Sequence, residues 1–134
     1  MTFKNLGIIG GGQLGSMMST AAKKLNIKTT IYSDDEDAPA RNFCDEFIFG
    51  DYNDKQKILK FISKVDIISY EFENIPYETL NEMNKLKTVL PKPSVNRLIQ
   101  HRIAEKDFVN KLNIRTTRYT SIEKKSDIET LVDF

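Results

Sequence analysis

The amino-terminal part of the chain contains a glycine-rich turn that leaves few folds open to it. Gly10-Gly11-Gly12-Gln13-Leu14-Gly15 satisfies the pattern G-x-G-x-x-G, and it directly follows the short aliphatic run Lys4 to Ile9. From Gln13 to Leu25 apolar side chains recur at helical spacing, so this segment predicts a strand, a tight turn and a helix. The first amides of such a helix lack partners and lie at the positive end of its dipole, so a polar or anionic group is expected there.

Strands and helices are predicted to alternate as far as Leu90. The later strands are Ile27 to Tyr32, Glu46 to Phe49, Val65 to Ser69 and Thr88 to Leu90, and the later helices run from a cap at Asp51 or Asn53 to Val65 and from Tyr77 to Lys87. Parallel neighbouring strands need crossover helices, so this order indicates an α/β fold with a doubly wound parallel sheet. Met17 and Met18 are predicted to fill the core beneath the first helix.

The sequence changes character after Pro93. We predict a sheet domain over residues 1–93 and, over residues 94–134, a charged helical connector with no strand until about Ile114. The last helical pattern, Ser126 to Phe134, has no terminating glycine, proline or basic residue, so we expect the chain to stop within an element.

Composition excludes several classes of protein. The 134 residues carry 20 Lys and Arg against 19 Asp and Glu, a net charge of +1, which gives no general attraction to nucleic acid or to an anionic membrane. No apolar stretch approaches the roughly 20 residues of a membrane helix. Cys44 is the single cysteine and His101 the single histidine, so neither an internal disulfide nor a Cys/His zinc site can form, and a reducing cytoplasm is expected.

The glycine turn alone leaves two interpretations open. Asp34 and Asp35 follow the second strand at the distance expected of an acid that binds the ribose of NAD(P). Alternatively, the glycines only permit close packing of the first helix on its strand.

A pair of acids follows the fourth strand. Glu71 and Glu73 lie at the sheet edge where ligands bind in open α/β folds, and they point to the same side if the segment stays extended. Two carboxylates suit an amine or a ribose hydroxyl, and not a phosphate. The alternative is a cap for the Tyr77 helix, a role that Asn74 also fits.

Three patterns taken together, namely the glycine turn, Tyr70-Glu71-Phe72-Glu73-Asn74 and Gln100-His101-Arg102-Ile103-Ala104-Glu105-Lys106, resemble the amino-terminal part of the 5-(carboxyamino)imidazole ribonucleotide synthases, a family of ATP-grasp ligases. The resemblance covers essentially the whole chain. It implies a Rossmann-like pre-ATP-grasp domain that does not bind NAD, followed by a connector toward ATP-grasp lobes that are absent.

The resemblance also implies a reaction and a set of binding residues. Members use ATP and bicarbonate to carboxylate the exocyclic amine of 5-aminoimidazole ribonucleotide through carboxyphosphate, in purine biosynthesis. Gly12, Gln13, Leu14, Glu71 and Glu73 would bind the ribonucleotide, and Arg102 would contact ATP. The Mg²⁺ ligands would lie outside this chain, which would be inactive by itself and part of a cytoplasmic homodimer at full length.

Two rival functions stay open at this point. A stand-alone NAD(P)-binding module would use Asp34 or Asp35 and would give Glu71 no role. A non-catalytic interaction domain would keep the fold without its ligand. His101 is interpreted as a solvated residue, because no partner for proton transfer is apparent.

Overall fold

A computed structural model describes residues 4–129 and residue 131. Its strands are β1 Asn5–Ile9, β2 Lys28–Ser33, β3 Glu46–Phe49 and β4 Ile67–Tyr70, and its α-helices are α1 Gln13–Lys24, α2 Lys55–Lys64, α3 Tyr77–Leu86, α4 Pro93–Ile99, α5 Arg102–Lys111 and α6 Lys125–Glu129. A short 3₁₀ helix, Pro39–Asn42, lies between β2 and β3. The chain divides into two compact units, Met1–Asn96 and Arg97–Phe134.

The sheet is parallel throughout, with the strand order β3-β2-β1-β4. This arrangement confirms the predicted α/β fold with a doubly wound sheet. The predicted fifth strand, Thr88 to Leu90, is wrong as a strand, because it is reduced to one parallel bridge between Val89 and Ile68. Pro91 follows at once and has no N–H to donate, so the ladder cannot continue.

Both faces of the sheet are covered, because successive residues of β1 point to opposite sides. Ile9 belongs to a cluster beneath α2 and α3 that includes Phe61, Leu80 and Met83. Ile8 belongs to a smaller cluster on the face that carries α1. The central strand is therefore buried on both sides, as parallel sheets require.

Helix α1 approaches the sheet through small residues. Its buried positions are Gly15, Ser16, Ser19 and Ala22. The core role predicted for Met17 is therefore wrong, because small side chains bring the helix close to the sheet and turn Met17 outward, where it is 59% exposed. Met18 is partly buried against the smaller cluster.

The amino end of α2 differs from the prediction by one residue or more. Asp54, and not Asp51 or Asn53, caps the helix, since its Oδ1 accepts from the N–H groups of Gln56 and Lys57 at 3.1 and 3.0 Å. Asp51 instead accepts from the N–H of Asn53 and shapes the preceding turn. The side chain of Asp51 is used in this Asx turn and is therefore not available to cap α2, which explains why the cap lies at Asp54 instead.

The second unit contains α5 and α6 joined by a segment without helix or strand. The strand anticipated near Ile114 does not form, because no other strand in the described part of this unit offers it a partner. Of the helix predicted over Ser126 to Phe134, residues up to Glu129 are helical, and residues 130 and 132–134 lie outside the described residues. No described helix is long and apolar enough to cross a bilayer.

Candidate functional site

The sheet reverses its winding between β1 and β4, which lie side by side although two strands separate them in the chain. The glycine turn follows β1 and Glu71 follows β4, so both stand at the carboxyl ends of these two strands. Ligands of open α/β sheets bind in the crevice at this switch point. The topology therefore brings together the two motifs that the sequence analysis selected independently.

Glu71 is directly bonded to the glycine turn. Its Oε1 accepts a hydrogen bond from the N–H of Gly12 at 3.0 Å, across 59 residues of sequence. The N–H of Glu71 in turn donates to the carbonyl of Ile9 at 3.1 Å, which extends the pairing of β1 with β4 by one residue. Glu71 is thus fixed at its backbone and its side chain against the same turn.

Two of the glycines are required by geometry. Gly10 has a φ of 101°, a conformation that favours glycine, and an added Cβ would lie 2.7 Å from Oε1 of Glu71. A Cβ on Gly11 would lie 2.5 Å from the Cβ of Ala38, in the loop after β2. These two glycines make room for Glu71 and for the loop after β2, whereas close approach of the first helix to the end of its strand depends on Gly15, where an added Cβ would lie 2.9 Å from the carbonyl oxygen of Gly10.

An apolar groove opens beside this contact. It has a volume of about 510 Å³ and is lined by Leu14, Met17, Met18, Ala21, Tyr70 and Glu71. The first four recur at positions i, i+3, i+4 and i+7 of α1, the spacing of one helix face. The same spacing is the sequence signal for this groove face. It does not mark the core face, because the residues that α1 buries are the smaller Gly15, Ser16, Ser19 and Ala22.

Glu73 is not aligned with Glu71 along an extended segment. Strand β4 ends at Tyr70 and residues 73 and 74 form a turn, so the extended segment needed to align the two acids is absent. Glu73 is exposed, and Gln13 on the other side of the crevice is exposed as well. Of the predicted ribonucleotide residues, the structure brings Gly12, Leu14 and Glu71 together, and leaves Gln13 and Glu73 at the surface.

The loop after β4 is held by a hydrogen bond from a buried residue of α4. The N-cap of α3 is Pro76, with no side-chain bond, so neither the acids nor Asn74, which the sequence allowed in this role, is the N-cap residue. Fully buried Asn96 donates through Nδ2 to the carbonyl of Ile75 at 3.1 Å. This bond holds the carboxyl-terminal end of the loop that begins at Glu71.

The two acids after β2 both have partners within the protein, Asp35 in its own loop and Asp34 at Tyr52. Asp35 accepts from the N–H of Asp37 at 3.0 Å, a contact local to its own loop.

Tyr52, in the loop before α2, is a buried residue near these acids and is 7% exposed. Burial, followed by the charge of nearby Asp34, raises the pKa of Tyr52, with a smaller contribution from Glu71. Tyr52 is therefore influenced by the charges of both Asp34 and Glu71, and sequence reasoning missed this residue because it lies in a loop without a motif.

Arg102 and His101 belong to the second unit. Arg102 begins α5, and its Nη1 donates to Oε2 of Glu105 at 2.8 Å, while its side chain is 83% exposed. An exposed guanidinium with several donors suits a phosphate ligand.

His101 is the N-cap of α5, and its Nδ1 accepts a hydrogen bond from the N–H of Ala104 at 3.3 Å. The sequence analysis did not predict this capping role.

No group of three or more His, Cys, Asp or Glu side chains in the described residues is placed to hold a metal ion.

Comparison with known proteins identifies the family. The model of the ribonucleotide synthetase pre-ATP-grasp domain matches residues 3–100. The chain belongs to this family. It is 35% identical over 96% of its length to the bifunctional purine synthesis protein purC/E of Dictyostelium discoideum, and 34% identical over 92% of its length to an N5-carboxyaminoimidazole ribonucleotide synthase of Staphylococcus epidermidis.

A solved structure confirms the fold of this pre-ATP-grasp domain. The N5-carboxyaminoimidazole synthetase of Staphylococcus aureus, crystallised with ADP, matches 96% of the chain with a TM-score of 0.86 and 32% identity. The chain spans 35% of that structure, 33% of the Staphylococcus epidermidis protein and 13% of the Dictyostelium protein. The resemblance inferred from the motifs is confirmed, and the oxidoreductase alternative finds no support in these matches.

Proposed function

We propose that this pre-ATP-grasp domain is the ribonucleotide-holding part of an ATP-dependent 5-(carboxyamino)imidazole ribonucleotide synthase in purine biosynthesis. The observation that carries the proposal is the position of Glu71 and Leu14 beside the glycine turn, at the switch point of the sheet. Membership of the family and the names of the relatives support the same activity. The whole enzyme would carboxylate the exocyclic amine of 5-aminoimidazole ribonucleotide, with ATP and bicarbonate as co-substrates.

The proposed binding roles follow from side-chain chemistry. The Glu71 carboxylate has more acceptor capacity than one hydrogen bond uses, so it can also accept from an amine or a ribose hydroxyl. Leu14 offers an apolar surface to a ring or sugar face, and Gly12 would take part by holding the Glu71 carboxylate through its N–H. Exposed Gln13 and Glu73 would close on the ligand from the two sides of the crevice.

The remaining roles concern the second unit and the complete enzyme. Arg102 would contact the phosphates of ATP, and the Mg²⁺ ions that neutralise the transferred phosphoryl group would be held outside this chain. We also propose a cytoplasmic location and a homodimer at full length. The chain alone would then bind ligand without turnover.

The experiment uses the full-length protein that carries this chain. ATP hydrolysis should depend on both aminoimidazole ribonucleotide and bicarbonate, and Glu71→Gln should raise the KM for the ribonucleotide by about tenfold, the effect of weakening one charge-assisted hydrogen bond. Glu82→Gln is the matched control, because Glu82 is exposed on α3 and pairs with Lys85, and its KM should not change.

Two results would contradict the proposal. Unchanged kinetics in Glu71→Gln would remove this carboxylate from the binding site. Saturable binding of NADH that is lost in Asp34→Ala would instead favour the dinucleotide alternative.

A further inference from the structure

We propose that the Glu71 carboxylate takes the place of a ligand phosphate at the glycine turn and thereby excludes phosphate groups from it, so that a ribonucleotide would meet the turn through its amine or hydroxyl groups. A G-x-G-x-x-G turn after a strand is ordinarily suited to a pyrophosphate. Here a side chain of the protein itself occupies the position of the ligand at the N–H of Gly12.

The amino end of α1 depends on Glu71 for its polar partner. Its N-cap, Gly12, has no side chain to cap the helix, and the first turn contains no acidic residue. A helix of this length carries partial positive charge at its amino end. The carboxylate that complements this charge comes from Glu71, whose Oε1 accepts from the N–H of Gly12 at 3.0 Å.

The carboxylate also occupies the space above the turn. An added Cβ would lie 2.7 Å from Oε1 of Glu71 at Gly10 and 3.1 Å from the same oxygen at Gly12. Glycine ordinarily provides this space for close approach of a ligand. Phosphate oxygens that reached the N–H of Gly12 would have to displace the Glu71 side chain.

Charge makes that displacement unfavourable. A phosphate and the Glu71 carboxylate would compete for one N–H donor, and as like charges a few ångströms apart they would repel each other. An amine or a hydroxyl, by contrast, can donate to the carboxylate without moving it. The turn therefore selects hydrogen-bond donors over anions, which explains how a dinucleotide-type motif can occur without a dinucleotide.

The test is a titration of the ¹⁵N-labelled 134-residue chain with inorganic phosphate at constant ionic strength, followed at the amide of Gly12. Wild type should show no saturable shift. Glu71→Ala should show one, with a dissociation constant at least about tenfold lower than any measured for wild type. Glu82→Ala, which removes an exposed acid of α3 that pairs with Lys85, is the matched control and should behave as wild type does.

Two further arms make the result decisive. Glu71→Gln keeps the side-chain volume and removes the charge, so it too should bind phosphate more tightly than wild type, even if the alanine variant fails to fold. NADH tests whether the opened turn also accepts a pyrophosphate. Saturable phosphate binding in wild type, or none in Glu71→Gln, would overturn the inference. Because neither ATP nor a ribonucleotide is present, this result is independent of the proposed ligase activity.

Discussion

Replacing Gly10 by alanine tests the contact between the glycine turn and Glu71 most directly. The new Cβ would force a non-glycine residue into a φ of 101°, which costs about 1–3 kcal/mol. It would also lie 2.7 Å from Oε1 of Glu71 and displace the carboxylate from Gly12. Loss of that charge-assisted hydrogen bond costs about 1.5–3 kcal/mol, so Gly10→Ala should lower the free energy of unfolding by about 2.5–6 kcal/mol.

A double-mutant cycle separates the two costs. In Glu71→Ala the obstructing oxygen is gone, so adding Gly10→Ala should cost only the backbone strain, and the two changes should fall short of additivity by about 1.5–3 kcal/mol. Gly10→Ala with Glu73→Ala is the control pair, since the three atoms nearest to the added Cβ all belong to Glu71. That pair should be additive within about 0.5 kcal/mol.

The assay is urea unfolding at neutral pH, with far-UV circular dichroism and tyrosine fluorescence required to give coincident transitions. Additivity of Gly10→Ala with Glu71→Ala would refute the proposed contact. A cost of Gly10→Ala below about 1 kcal/mol would refute the positive φ as well.

Two further predictions concern the sheet core and the cap of α2. Burial, followed by the charge of Asp54, raises the pKa of Tyr32 to about 12. Because the folded state then holds this proton more tightly than the unfolded state, the free energy of unfolding should fall as the pH rises from about 10 to about 12. Urea unfolding at several alkaline pH values should show a smaller fall in Tyr32→Phe, and identical slopes would contradict this. Asp54→Ala should cost about 1 kcal/mol through loss of two bonds to the first turn of α2, whereas Asn53→Ala should cost less than about 0.5 kcal/mol. Equal costs in thermal unfolding would argue against Asp54 as the cap.

The fold was predictable because its signals are local. Glycine spacing, short β-branched runs and helical periodicity each depend on neighbouring residues, and they identified β1 to β4 and the first three helices. The predicted fifth strand failed because a single proline decides whether a ladder continues. The cap of α2 failed because three polar residues, Asp51, Asn53 and Asp54, compete within one turn.

The candidate site was predictable only in part. The meeting of Glu71 with the glycine turn follows from the rule that carboxyl ends of parallel strands share one edge. The outward position of Met17 does not follow from any local rule, because it depends on how closely α1 packs on the sheet. Tyr52 and Asn96 were missed for the same reason, since their roles arise from burial and from distant partners.

The bond between Gly12 and Glu71 has a consequence for synthesis of the chain. The ribosome releases the amino end first, so β1 and α1 emerge before β4 has been made. Until Glu71 has been added, the first helix lacks the carboxylate that complements its amino end, and β1 lacks one of its two flanking strands. Closing so long a loop has an entropic cost that the nascent segment cannot offset by itself. We therefore expect the glycine turn to become ordered late during translation, together with the arrival of the fourth strand.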